Sequence, residues 1–136
     1  MSTFDQQVIR EFRENEGKVG GYLEGDPMVL LTTTGAKSGK QRTSPLVYFP
    51  DEGRIFVIAS NGGAPTNPNW YYNIIENPVV TAEIGTETFR ARVRILEGSE
   101  RDRTYARATE ATPRFGTYQQ GTRRLIPVVE LVPIQE

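Results

Sequence analysis

From Met28 onward, short apolar and β-branched runs alternate with turns rich in glycine, proline and asparagine. MVLLTTT (Met28–Thr34), QRTSPLVYF (Gln41–Phe49) and RIFVIAS (Arg54–Ser60) read as three strands separated by GAKSGK and PDEG. VVTAEI (Val79–Ile84) and ETFRARVRIL (Glu87–Leu96) form a second pair about Gly85-Thr86. In ETFRARVRIL, Phe89, Ala91, Val93 and Ile95 share one face, and Arg90, Arg92 and Arg94 share the other. That alternation predicts a strand with one buried face and a solvated arginine face. LIPVVELVP (Leu125–Pro133) reads as the last strand. Pro45 and Pro127 predict edges or bulges, because proline has no N–H for a ladder.

Helical spacing marks three other segments. Phe4, Val8, Ile9 and Phe12 recur at that spacing, with Gly17 as a stop. The apolar face of this helix is expected to dock on the domain. The alternatives are a lid and a membrane-surface contact, and its acidic polar face opposes binding to an anionic bilayer. Asn67 as N-cap and Pro68 as first helical residue predict a helix from Pro68 to about Glu76, ended by Asn77-Pro78. Ser99 with Asp102, a loose capping box, opens a third helix to Thr112. PRFGTYQQGTRR (Pro113–Arg124) is expected to be a loop. The sum is a mainly β (α+β) chain, a small barrel of about six antiparallel strands with three helices at its mouth. Residues 1–26 would be the helix and a glycine-rich connector carrying Tyr22, and 27–136 the barrel domain.

The chain has 136 residues, which suits one fold unit with a real core. A formal charge of −1 gives no global basic field, so nucleic acid is not an expected partner. There is no cysteine and no histidine. Thiolate nucleophiles, disulfides, histidine bases and the common zinc sites are therefore excluded, and no carboxylate cluster suggests a metal. An enzyme with this composition needs its reactive chemistry from a cofactor. The acidic N-terminus has no signal-peptide core, so the cytoplasm is the expected location, with the inner membrane face as a peripheral alternative. Nothing in the sequence sets the oligomeric state.

Three stretches carry candidate chemistry. TTTGAKSGKQRTSP gathers Lys37, Lys40 and Arg42 without an acid. It fails the phosphate-loop pattern of nucleoside triphosphatases, since Gly35 and Gly39 are one residue too close and Gln41 follows the lysine. A looser nest of backbone N–H groups, helped by Lys37 and Arg42, stays open beside an ordinary basic hairpin tip. SNGGAPTNPNWYYN (Ser60–Asn73) combines a glycine pair, a helix start and three aromatics, which suits a ligand with a phosphate and a flat ring. Its plainer interpretation is a turn followed by a core tryptophan. PRFGTYQQGTRRLIP offers Phe115 and Tyr118 as pocket or lid residues.

LLTTTGAKSGKQRTSPLVYF, ASNGGAPTNPNWYYNIIENPVV and TRRLIPVVELVP, in this order, resemble the deazaflavin-dependent nitroreductase family of actinobacterial oxidoreductases. The shared pattern is a TTG turn with R-x-x-P-L, a GG pair, N-P-x-W-x-x-N and R-x-I-P, from Met28 to Pro133. The resemblance implies a split β-barrel related to FMN-binding barrels. It implies coenzyme F420, an 8-hydroxy-5-deazaflavin, and hydride transfer to a quinone, a nitroaromatic or a similar small acceptor. It assigns Ala36, Lys37 and Ser38, with Arg42, Thr43, Ser44, Pro45, Leu46 and Val47, to phosphate and ring contacts. Ile58, Ala59, Ser60 and Asn61, with Asn69, Trp70, Tyr71, Tyr72 and Asn73, match the other walls, and Phe115 an aromatic position beside the ring. Asn61 stands where nitroimidazole-activating members carry a lysine, Phe115 where they carry a tyrosine, and Thr112 and Gly121 replace other aromatics.

Ser60 and Tyr118 are the candidates for steadying charge on the reduced acceptor, and Tyr22, Phe115 and Tyr118 for contacting it. Two other functions fit the same residues: an FMN-binding split-barrel oxidoreductase, and a non-enzymatic binder of an apolar ligand.

Overall fold

The computed structural model describes residues 3–135, apart from the side chains of Thr3 and Tyr22. Six antiparallel strands close a barrel: β1 (Met28–Thr34), β2 (Gln41–Asp51), β3 (Arg54–Ile58), β4 (Val79–Ile84), β5 (Glu87–Ile95) and β6 (Val128–Pro133), in the order β1-β2-β3-β6-β5-β4. β4 closes on β1 through Leu30↔Glu83, Leu31↔Ala82 and Thr32↔Thr81. Four α-helices accompany them: α1 (Thr3–Glu14), α2 (Asn69–Glu76), α3 (Gly98–Ala111) and α4 (Arg114–Gln120).

The period of two along the strands fills the barrel. Val29, Leu31, Val57, Val80, Ala82, Ala91, Val129 and Leu131 point inward, and Trp70 and Ile74 of α2 join them from one open end. The opposite faces of β1 and β3 are apolar too. Met28 and Leu30 pack with Val8, Phe12 and Val19 under α1. Phe56 and Ile58 pack with Tyr105, Ala108 and Phe115 under α3 and α4. Helices covering both strands therefore explain why MVLL and FVI show no polar alternation.

α1 docks through Val8, Ile9 and Phe12 of its apolar stripe, while Phe4, expected on the same face, stays 55% exposed. Gly17 follows it with φ +94°, and a Cβ there would stand 2.6 Å from the Gly85 Cα. Arg13 adds a bidentate pair with Glu83 of β4. Together they fix the helix exit on the β4–β5 turn. Among the described residues, no helix is long and apolar enough to cross a membrane.

Several local expectations change. Residues 114–120 form α4 rather than a loop, so there are four helices, and α3 and α4 cover the outer wall while α2 alone closes the mouth. Pro68, not Asn67, is the N-cap of α2, because the Asn67 side chain is taken by Arg124. Glu97 precedes α3 without a side-chain cap, and Asp102 pairs with Arg101, so the Ser99–Asp102 box does not form. β6 starts at Val128, leaving Leu125 exposed. Pro45 does lie at an edge: β3 pairs β2 only from Tyr48 to Asp51, so among the described residues Gln41–Val47 has β1 alone beside it.

Candidate active site

Where β2 runs without β3, the mouth opens into a groove of about 1100 Å³. Its first wall is the β1–β2 turn and the free stretch of β2. The turn is closed by its own bonds: Gly35 N–H to the Lys40 carbonyl at 2.7 Å, Gly39 N–H to the Gly35 carbonyl at 3.0 Å, and Lys40 N–H to Ser38 Oγ at 3.1 Å. Asn73 of α2 accepts from Ala36 N–H at 3.0 Å and donates to Thr33 Oγ1 at 3.1 Å. Asn77 Nδ2 donates to the Thr34 carbonyl at 3.3 Å. Among the described residues the N–H groups of Lys37 and Ser38 have no protein acceptor, and neither Lys37 nor Arg42 faces a carboxylate within ion-pair distance. Lys37, Ser38 and Arg42 all line the groove.

The second wall is Ile58 of β3 and the turn that follows, Ser60, Asn61 and Gly62. Asn61 has φ +49° and donates from Nδ2 to the Thr66 carbonyl at 3.1 Å, which folds the loop on itself. Gly63, with φ +84°, lies so close to α4 that a Cβ would stand 3.4 Å from Tyr118 Cα. Behind this wall is Arg124, whose five N–H donors all end on the loop. The third wall is the start of α2, with Pro68, Asn69, Trp70, Tyr72 and Asn73. Trp70 is 6% exposed, whereas Tyr72 is 48% exposed at the rim. Asp5 of α1 reaches the groove edge.

A family model described as F420H(2)-dependent quinone reductase matches residues 5–133, an interval that spans all three walls. The chain belongs to this family. An F420H(2)-dependent quinone reductase of Mycobacterium tuberculosis (strain ATCC 25618 / H37Rv) is 36% identical over 126 residues, 88% of this chain and 83% of the relative. A solved structure titled F420-H2 Dependent Reductase (FDR-A) is 44% identical with a TM-score of 0.70, covering 77% of this chain and 93% of its own. Another, described as a domain-swapped dimer, is 40% identical with a TM-score of 0.72, over 93% and 98% of the two chains. The barrel is the split barrel of the FMN-binding-like folds.

For a member of the F420H(2)-dependent quinone reductases, the groove gathers most of the residues singled out from sequence. Ala36, Lys37, Ser38, Arg42, Thr43, Ser44, Pro45, Leu46, Ile58, Ser60, Asn61, Asn69, Trp70, Tyr72 and Asn73 all line it. The remainder sit elsewhere. Ala59 is buried inside the barrel, and Tyr71 packs against the same core. Val47 faces outward between the two helix-covered clusters. Phe115 is 5% exposed in the core under α3, and the hydroxyl of Tyr105 donates to its carbonyl at 2.5 Å. Tyr118 is half-buried against Phe115, with ring centroids 6.3 Å apart, behind the second wall. The placement of Phe115 and Tyr118 off the groove follows from α4, whose i, i+3 face carries both rings toward the barrel. The side chain of Tyr22 lies outside the described residues. Lys40 does not line the groove.

Sequence reasoning left Asp5, Gly35, Gly62, Pro68 and Arg124 out of the site. Pro68 adjoined a segment already singled out. Asp5 on a docking helix and Arg124 in the R-x-I-P motif gave no local signal of where their side chains reach. Burial, and then neighbouring Tyr72, hold the Tyr71 phenol above its ordinary value, so it stays neutral beside the groove.

Proposed function

We propose that this groove binds reduced coenzyme F420 and orients it for hydride transfer to a small acceptor of the quinone class. The observation that carries the proposal is the division of the groove. The turn end of the first wall offers two free N–H groups with Lys37 and Arg42, and Leu46 farther along β2, Ile58 and Trp70 offer apolar surface. Charge-assisted bonds from the first suit a phosphodiester, and the apolar surface suits a flat ring. The volume is ample for both parts.

The residues present therefore fit the coenzyme. When bound, it would supply the hydride, which no protein side chain can donate. The protein's part is positional. Lys37, Ser38 and Arg42 would hold the anionic linker, and the turn that carries Lys37 and Ser38 is pinned by Asn73. Pro45, Leu46 and Trp70 would give the ring apolar contact and help keep water from it. Ser60 lines the groove and is the side chain here that donates a hydrogen bond to the acceptor oxygen as that oxygen gains charge. Tyr118, behind the wall, supports this segment rather than touching the acceptor.

The test is turnover. Purified protein is mixed anaerobically with reduced F420 and a soluble naphthoquinone, with nitroaromatics as a second acceptor class. Enzyme-dependent appearance of oxidised coenzyme is expected, strongest with quinones. No rate above the uncatalysed background with any acceptor contradicts the proposal.

A further inference from the structure

We infer that Arg124 is a positioning residue for turnover: its guanidinium holds the Ser60 wall of the groove in register. This rests on the coenzyme reading above for its kinetic consequence, not for its structural one. Nε donates to the Ala64 carbonyl at 2.9 Å. Nη1 donates to the Ala59 carbonyl at 3.2 Å and to Asn67 Oδ1 at 2.6 Å. Nη2 donates to the Ala59 carbonyl at 3.2 Å and to the Ser60 carbonyl at 2.7 Å. All five donors are spent on the Ala59–Asn67 loop, and none goes to a carboxylate. That is the geometry of a clamp, because the planar fork fixes direction as well as distance.

The clamp is itself anchored. The Arg124 carbonyl accepts from Gln119 Nε2 at 2.8 Å, and Gln119 Oε1 accepts from Arg101 Nη2 at 2.7 Å and from Ile126 N–H at 3.0 Å. Arg101 is buried, bonds the Ile126 carbonyl twice and lies 4.5 Å over the Tyr105 ring. A chain of bonds therefore runs from α3 and α4 through Arg124 to Ser60. The loop it holds contains Asn61 with φ +49° and two glycines with positive φ, so the loop has little local preference of its own for this shape. The phosphate-binding wall is held separately by Asn73. Loss of the Arg124 fork should then act on turnover more than on coenzyme affinity.

The test compares Arg124→Lys, which keeps the charge and loses the fork, with the wild type and with Arg107→Lys on the outer face of α3 as control. Amide hydrogen exchange of the free protein is followed over residues 60–67 and over β3. Arg124→Lys is expected to exchange about tenfold faster in the loop with β3 unchanged. It is also expected to bind reduced F420 within about threefold of wild type while kcat falls about tenfold or more. Unchanged loop exchange, or faster exchange with wild-type kcat, overturns the inference. So does a variant whose affinity falls and whose kcat does not. A wild-type protein that binds no reduced coenzyme contradicts the proposed function instead, and the exchange comparison still decides whether Arg124 holds the wall.

Discussion

Asn73 spends both ends of its amide inside the protein. One end holds Ala36 N–H and the other Thr33 Oγ1, and the next two residues, Lys37 and Ser38, line the groove. In the proposed site, Asn73 would therefore act by supporting the turn that takes the phosphate. Asn73→Asp can keep both contacts, because the Thr33 hydroxyl can reverse and donate. It also places a negative charge beside the anion site. We expect reduced F420 to bind about tenfold more weakly at low salt, with the penalty shrinking as salt is raised, and an unchanged melting temperature. A salt-independent affinity equal to wild type would show that no anion sits at this turn. Arg42→Glu is the harsher version. It removes a charge-assisted bond and adds repulsion, so affinity should fall about 100-fold. Equilibrium titration checks it, and a folded variant with wild-type affinity would contradict the role given to Arg42.

At the scale of elements, the groove exists because two strands are unequal. β2 runs seven residues beyond its pairing with β3, from Gln41 to Val47, and that overhang is a wall. α2 then plugs the barrel with Trp70 and Ile74 and brings its first turn alongside. α1 is a third contributor, docked by Phe12, which is 2% exposed. Phe12→Ala should cost about 3–5 kcal/mol of unfolding free energy in a denaturant titration. A loss below about 1 kcal/mol would mean the helix contributes little to the folded domain.

The strands were legible because inward and outward positions alternate and the turns carry glycine and proline. The overhang was partly legible, since Pro45 marked an edge. α4 was not. Gly116 and Gly121 weaken any local helical signal, and the helix is fixed by distant groups: Arg114 on Asp26 at 2.8 Å, and Tyr105 on the Phe115 carbonyl. Without that helix in view, the sequence left Phe115 and Tyr118 open between pocket and lid residues. Of the groove itself, the β1–β2 turn and the α2 wall were legible from charge, glycine and aromatic order. The role of Arg124 was not, because bonds to carbonyls about sixty residues away leave no sequence periodicity.

For the molecule as a whole, the barrel wall opposite α1 is tied by charges. Glu130 of β6 is buried and bonded by Arg54 at 2.9 Å and by Arg94 at 3.0 Å, and Glu100 of α3 bonds both arginines. Hydrogen bonding to Arg94 holds the Glu100 carboxyl at about 2, below its ordinary 4.5, and hydrogen bonding to Arg54 lowers Glu130. Both folded pKa values are depressed, so this stabilisation is full above about pH 4.5 and is lost as pH falls toward about 2. Melting temperature should decline across that window. Glu100→Gln should flatten the decline, and an identical pH profile in the variant would remove Glu100 from the linkage. β3 is shared between the two: Arg54 at its start belongs to this network and Ile58 at its end lines the groove.

The central claim is that the groove is a site for reduced deazaflavin coenzyme. The most direct measurement is an anaerobic fluorescence titration of the purified protein with reduced F420 and, separately, with FMN. Saturable binding of reduced F420 at one site per chain, clearly tighter than FMN and weakened by Arg42→Glu, is the predicted result. Binding of FMN with none of reduced F420 would contradict the account.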